Sequence, residues 1–188
     1  MALDINTPRG QQTLIDETKA VAIFESHHPR CLYANTPKKE AGDVDAVVVH
    51  LDEGDVKCVV ETKCRYDVTL AQFHDEYSGK WLVTFDKILK GMKLAEALRV
   101  PLYGFLYIVK DKALLMRRLW SPAKGLEAHM EIRKTKTQAT VNGGEAVRDN
   151  AFLDMTGTVP LYLKEERDVP LLDADVLGGL SARHEASE

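Results

Sequence analysis

The sequence is poor in cysteine, in long apolar runs and in excess charge of either sign, and each scarcity closes a class of function. Its three cysteines, Cys31, Cys58 and Cys64, form no Cys-x-x-Cys pair, so reduced thiols are expected rather than a disulfide framework or a zinc ribbon. His27, His28 and Cys31 stand close together without a fourth ligand at a recognisable spacing, which suits a polar helix end better than zinc. The longest apolar stretches, such as Pro101 to Val109, fall well short of the ~20 residues needed to cross a bilayer. The opening Met-Ala-Leu-Asp-Ile-Asn lacks the basic start and apolar run of a secretory leader, so a cytoplasmic protein without a membrane partner is expected. A net charge of −4 argues against coating nucleic acid by bulk charge and leaves only local contacts. No glycine-rich phosphate loop precedes a helix and no Gly-x-Ser-x-Gly elbow occurs, which removes the usual signs of a small-molecule α/β enzyme.

What is there fits one compact domain. The chain has 188 residues, 45% of them apolar, enough to fill a single core. Residues 1–170 are expected to form that domain and 171–188, ending in Ser-Ala-Arg-His-Glu-Ala-Ser-Glu, a flexible tail. Leu14, Val21 and Phe24 recur at helical spacing over 11–27, with Pro29 just beyond. Cys31 to Ala34 suits a short strand, and the following Asn-Thr-Pro-Lys-Lys-Glu-Ala-Gly suits a loop. Val44 to Leu51 and Val56 to Tyr66 read as two strands joined at Asp52-Glu53-Gly54. From Trp81 to Val100 the apolar spacing is helical and Pro101 closes it. Leu102 to Val109 reads as a strand buried on both faces, and Ala113 to Trp120 as another. Glu127 to Val141 predicts a strand or two, with Phe152 to Leu163 pairing with it. A mixed sheet flanked by helices accommodates this order.

The hairpin carries the chemistry. If Asp52-Glu53-Gly54 is a three-residue loop with a left-handed Gly54, Leu51 pairs with Asp55 and Asp45 falls opposite Glu61; a two-residue turn would shift the register by one. Alternation then puts Glu61, Lys63 and Val59 on one face and Cys58, Val60 and Thr62 on the other. Two carboxylates and an ammonium meet at the end of the hairpin away from its turn. Such acids are poor choices within a valine-rich strand, since burying an unpaired carboxylate is costly and two neighbouring carboxylates repel. A divalent cation with hard oxygen ligands resolves the conflict, and Mg²⁺ is the natural choice, with Mn²⁺ as a substitute. Asp45 and Glu61 would hold it, the Thr62 backbone carbonyl could add a ligand, and Lys63 would orient metal-bound water or stabilise charge on a phosphate. The bland alternative is an exposed sheet edge on which Glu61 and Lys63 form weak cross-strand ion pairs.

The string Asp45-Ala-Val-Val-Val followed by Val59-Val60-Glu61-Thr62-Lys63 resembles the core signature of the PD-(D/E)xK nuclease superfamily, over roughly residues 11–110. The resemblance implies an α/β fold with a restriction-endonuclease-like core, α-β-β-β-α-β, extended by C-terminal strands. It implies a Mg²⁺-dependent nuclease hydrolysing DNA phosphodiester bonds, with Asp45 and Glu61 as metal ligands and Lys63 as the catalytic lysine. An acid on the first helix would complete the site, Glu17 or its competitor Glu25. Val44 stands where the family's usual proline precedes the aspartate. Gln72 and Lys87 lie where they could approach DNA phosphates, although loop polarity and an exposed helix face explain them equally well. A homodimer is compatible with this reading. The alternative is a non-catalytic nucleic-acid-binding or assembly subunit of the same fold, and the sequence does not choose between DNA and RNA or between endo- and exonuclease action.

Overall fold

The computed structural model describes residues 8–37, 43–136 and 147–164. Within these residues it is an α/β structure with a six-stranded mixed sheet, a smaller three-stranded sheet and three helices. The chain opens with α1 (Pro8–His27), followed by β1 (Cys31–Asn35), β2 (Ala46–His50) and β3 (Val56–Arg65). Then come α2 (Leu70–Asp75), β4 (Lys80–Thr84), α3 (Phe85–Leu98), β5 (Leu102–Ile108) and β6 (Ala113–Ser121). The last elements are β7 (Gly125–Leu126), β8 (Met130–Lys136) and β9 (Val147–Asp154).

The large sheet runs β1-β2-β3-β5-β6-β7, with β3 and β5 parallel and every other pair antiparallel. That parallel step needs a crossover, and the segment containing α2, β4 and α3 supplies it. The small sheet runs β4-β9-β8, all antiparallel. Two apolar clusters show how the layers stack. On one face of the large sheet, Ala20, Ile23 and Phe24 of α1 pack with Tyr33, Val48, Val60, Phe105 and Tyr107. On the other, Ile88 and Ala95 of α3, with Trp81, Val83 and Leu153 of the small sheet, pack with Val59, Leu102 and Leu106. Strand β5, sandwiched between both layers, is buried at six of its seven positions, as its continuous apolar run requires.

Several expectations need correction. The helix expected over Trp81 to Val100 begins only at Phe85; Lys80–Thr84 is strand β4, because Trp81 and Val83 are buried at period two. Leu82, included in the helical spacing, belongs to that strand, whose Trp, Val and Thr favour extended backbone. Helix α3 ends at Leu98 with Arg99 in the left-handed conformation, φ 57°, two residues before Pro101. Helix α2 was not anticipated from the sequence; Thr69 caps it by accepting from the Gln72 N–H while the Gln72 side chain accepts from the Thr69 N–H, a capping box. On α1 the buried stripe is Asp16, Ala20, Ile23 and Phe24, whereas Leu14 and Val21 are only partly covered. β8 pairs with β9 as expected, but β9 ends at Asp154 and Leu161 instead bridges to Leu114. The proposed tail, 171–188, and the end of the expected strand region at 137–141 lie outside the described residues.

The hairpin register differs near its tip and agrees at its far end. Val49 pairs with Val56, His50 N–H donates to the Asp55 carbonyl, and Gly54 N–H donates to the His50 carbonyl. The expected Leu51–Asp55 pair is absent, although Gly54 has the left-handed φ of 72°. A bulge between Val48 and Val49, with Lys57 as the extra residue, then restores Val48–Cys58, Val47–Val59 and Ala46–Val60. Asp45, one step further, donates its N–H to the Val60 carbonyl at 3.2 Å. The register expected at the far end, as far as Ala46–Val60, is thus reached through a bulge rather than through a three-residue loop, and Asp45 follows just beyond the last pair.

Candidate active site

Asp45 is fixed before its side chain makes any contact. Besides the bond to Val60, its carbonyl accepts from the Thr36 N–H at 2.9 Å, while the Thr36 hydroxyl donates to the Val44 carbonyl at 2.6 Å. Backbone on both sides therefore pins this residue between β1 and β3. Its carboxylate turns onto β3, where Oδ2 accepts from the Thr62 N–H at 2.9 Å.

Glu61 lies on the same face, beneath α3. It is 2% exposed, and its Oε2 is buried with no hydrogen-bond partner among the described residues. Burial first, and the adjacent Asp45 charge second, push its carboxyl up to about 8, against the opposing pull of Lys87 and Lys63. An indole packs over the residue beside it. Gly104 pairs with Glu61 across β3 and β5, and the Trp81 ring packs over Gly104 so closely that a Cβ there would collide with it. Glycine at 104 lets an aromatic wall approach the acid.

Lys87 and Lys63 surround the pair differently. Lys87, in the first turn of α3, brings Nζ to 3.6 Å from Asp45 Oδ1 and 3.8 Å from Glu61 Oε2. Lys63 is exposed two residues beyond Glu61 on its own strand, and its charge also lowers the Glu61 carboxyl. The neighbouring lysines are occupied elsewhere: Lys80 pairs with Glu131, and Lys90 lies 3.1 Å from Asp43 and 3.4 Å from Asp86.

The opposite face of β3 holds a second polar contact. Thr62 Oγ1 and the Tyr33 hydroxyl share a buried hydrogen bond of 2.6 Å, and burial raises the Tyr33 phenol far above its ordinary value. The charges of Asp45, Glu17 and Glu61 all act on that phenol, so Thr62 links the acids of one layer to α1 in the other. What is observed of the Thr62 backbone is its N–H, donated to Asp45.

The structure brings together Asp45, Glu61, Lys63 and Lys87 on one face of the sheet, while Glu17 stands on α1 over the other face, its charge acting on the same Tyr33 phenol as those of Asp45 and Glu61. Glu17 projects from α1, which covers the other sheet face, and lines a shallow recess with Leu14, Thr18, Val21 and Asn35. Glu25 Oε1 accepts from the Tyr33 N–H at 3.1 Å. Among the described residues no three acids, histidines or cysteines gather as a metal-binding group. Gln72 is engaged in the α2 cap and with Glu76. The most buried acid of α1 is Asp16, held by Lys19 at 2.8 Å and by the Gln12 amide at 3.0 Å. Its place was legible, since position 16 falls on the same helical stripe as Ala20 and Phe24. Trp81 and Gly104 had no comparable signal, because their meeting depends on how the small sheet packs.

Two neighbouring hard carboxylates, one with a buried oxygen that makes no hydrogen bond among the described residues, fit a divalent cation chemically. The donor set is small, which suits an ion that keeps several waters. The sequence matches no protein-family model and no curated protein at a significant level. Among the described residues no helix is long and apolar enough to cross a membrane.

Proposed function

We propose that this chain is a metal-dependent nuclease of the PD-(D/E)xK type, built on a restriction-endonuclease-like core, that hydrolyses phosphodiester bonds in DNA. One observation carries the reading: Asp45, just before β2, and Glu61 on β3 bring their carboxylates to one place on the sheet, both within 4 Å of the Lys87 ammonium, with Glu61 Oε2 buried and, among the described residues, without a hydrogen bond. A carboxylate in that position is unstable as an anion unless a cation compensates it. The order helix, antiparallel hairpin, crossover helix and parallel strand supports the same core.

In this reading Asp45 and Glu61 hold Mg²⁺ or Mn²⁺, which when bound lowers the pKa of water and neutralises charge on the phosphate. The Thr62 N–H holds the Asp45 carboxylate in place. Trp81 excludes solvent from one side of Glu61 and so strengthens its electrostatic interactions. Lys63, exposed at the rim, orients the attacking water and meets the charge that grows on the phosphate oxygens as water adds to phosphorus and the bond to the leaving oxygen breaks. Glu17, whose charge reaches Tyr33 from the other layer, acts on the pair through Tyr33 and Thr62.

A second reading is the non-catalytic nucleic-acid-binding or assembly subunit with the same fold. The Lys87 contact with both carboxylates favours it, because a lysine already offsets part of their charge. Purified protein incubated with linear, circular, branched and single-stranded DNA, with Mg²⁺ or Mn²⁺, separates the two. Cleavage abolished by Lys63→Ala supports the nuclease; metal-independent binding that tolerates Lys63→Ala, without cleavage, supports the subunit.

A further inference from the structure

We propose that Lys87 is the resident counter-ion of the Asp45–Glu61 pair, bridging the two carboxylates in the metal-free protein and withdrawing when a divalent cation enters. The proposal rests on reading that pair as a metal site, and adds that the site carries its own competitor.

Three observations point the same way. First, the Lys87 ammonium is 3.6 Å from an oxygen of one carboxylate and 3.8 Å from an oxygen of the other. These distances lie beyond the ~2.7–2.9 Å of a charge-assisted hydrogen bond, so the contact with these two oxygens is electrostatic rather than a hydrogen bond. Glu61 Oε2 correspondingly keeps no hydrogen-bond partner among the described residues. A permanent structural ion pair would close that gap, whereas an exchangeable one need not.

Second, Lys87 is badly placed for its own helix. It lies in the first turn of α3, three residues after the N-cap Thr84, which makes no side-chain capping bond. Cations there oppose the helix macrodipole, which favours acids at the N-terminus. Asp86, its neighbour, obeys that preference. The compensating partners of Lys87 are the two carboxylates across the layer.

Third, withdrawal has a route and leaves the pair with a neighbouring cation. The Lys87 side chain is 34% exposed, so its long flexible stem can carry the ammonium into water. Lys63 stays beside Glu61 on the same strand. Metal entry thus exchanges one cation for another, and the free energy of breaking the Lys87 contact weakens apparent metal affinity.

The test compares Lys87→Met and Lys87→Gln with wild type and with Lys90→Met, which removes an equal charge one turn along α3 from a lysine paired instead with Asp43 and Asp86. Mn²⁺ binding is measured by calorimetry, and thermal unfolding is recorded with and without saturating Mn²⁺. Both Lys87 variants should bind Mn²⁺ roughly tenfold more tightly. They should also melt lower than wild type without metal and equal to it with metal. Lys90→Met should leave Mn²⁺ affinity within about twofold of wild type. Unchanged or weaker binding by the Lys87 variants overturns the proposal, as does an equal tightening in Lys90→Met. An equal loss of melting temperature with and without metal marks Lys87 as merely structural and overturns it too. If neither wild type nor the Lys87 variants bind Mn²⁺, the metal-site reading falls and this proposal with it; binding by wild type that Lys87 does not modulate sinks this proposal alone.

Discussion

Gly104 stands directly beside Glu61 in the parallel pair of β3 and β5, and the Trp81 ring fills the space that a side chain at position 104 would need. A Cβ at 104 would also come within 3.1 Å of Leu119 Cδ1, so the strain could not be relieved by a slight tilt of the indole alone. Gly104→Ala is expected to destabilise the fold by about 1–3 kcal/mol, the usual range for overpacking, read by denaturant unfolding. An unchanged midpoint would show that Trp81 is not held against the sheet.

Stability should depend on pH through Glu61. Its folded carboxyl is raised to about 8 from the ordinary 4.5 of a glutamate, so the native state keeps a proton that the unfolded chain has lost between those values. The contribution is fully present below about 4.5 and is lost as pH rises through about 8. Without metal, the wild type should lose stability across that window, by an amount on the order of a few kcal/mol. Glu61→Gln should flatten the slope, measured by chemical denaturation at stepped pH. A wild-type curve that rises over the same window would contradict the burial of this acid.

If the nuclease reading holds, Asp45→Asn, Glu61→Gln and Lys63→Ala should each lower the rate of DNA cleavage by roughly 10²-fold or more. Chelation with EDTA should stop the reaction and Mn²⁺ restore it. Cleavage that is the same in all three variants would trace to a contaminant.

The hydrogen bond between Tyr33 and Thr62 gives a control that spares the carboxylates. Tyr33→Phe removes it while leaving the Thr62 N–H on Asp45, and should cost about 1–2 kcal/mol in unfolding free energy. Mn²⁺ binding, followed by titration calorimetry, should stay within a few-fold of wild type. A large loss of binding would mean that Tyr33 positions the acids directly.

The sequence was informative where one element decided the outcome. Alternation along β3 was enough to set Glu61 apart from Val60 and Thr62, and the continuous apolar run of β5 announced burial from both sides. It failed where two periodicities overlapped: Trp81 and Val83 belong to a strand, yet Leu82 and Phe85 extend the spacing of α3 backwards. Glu17 and Glu25 were indistinguishable as helical acids, because their separation from Asp45 depends on which sheet face α1 covers. Lys87 was visible as a surface lysine but not as a neighbour of both carboxylates, since that contact requires α3 to pack across β3. Side chains that meet across layers leave no spacing to read.

The extra residue at Lys57 has a mechanical consequence for the hairpin as a lever. Strand parity permits no fractional adjustment, so an offset introduced at the tip would ordinarily propagate to the far end and invert every side chain there. Here the slack is absorbed between Val48 and Val49, which insulates the orientation of residues 45 and 61 from the geometry of the loop at 51–55. The tip is therefore a place where the chain can change shape without turning its acids over.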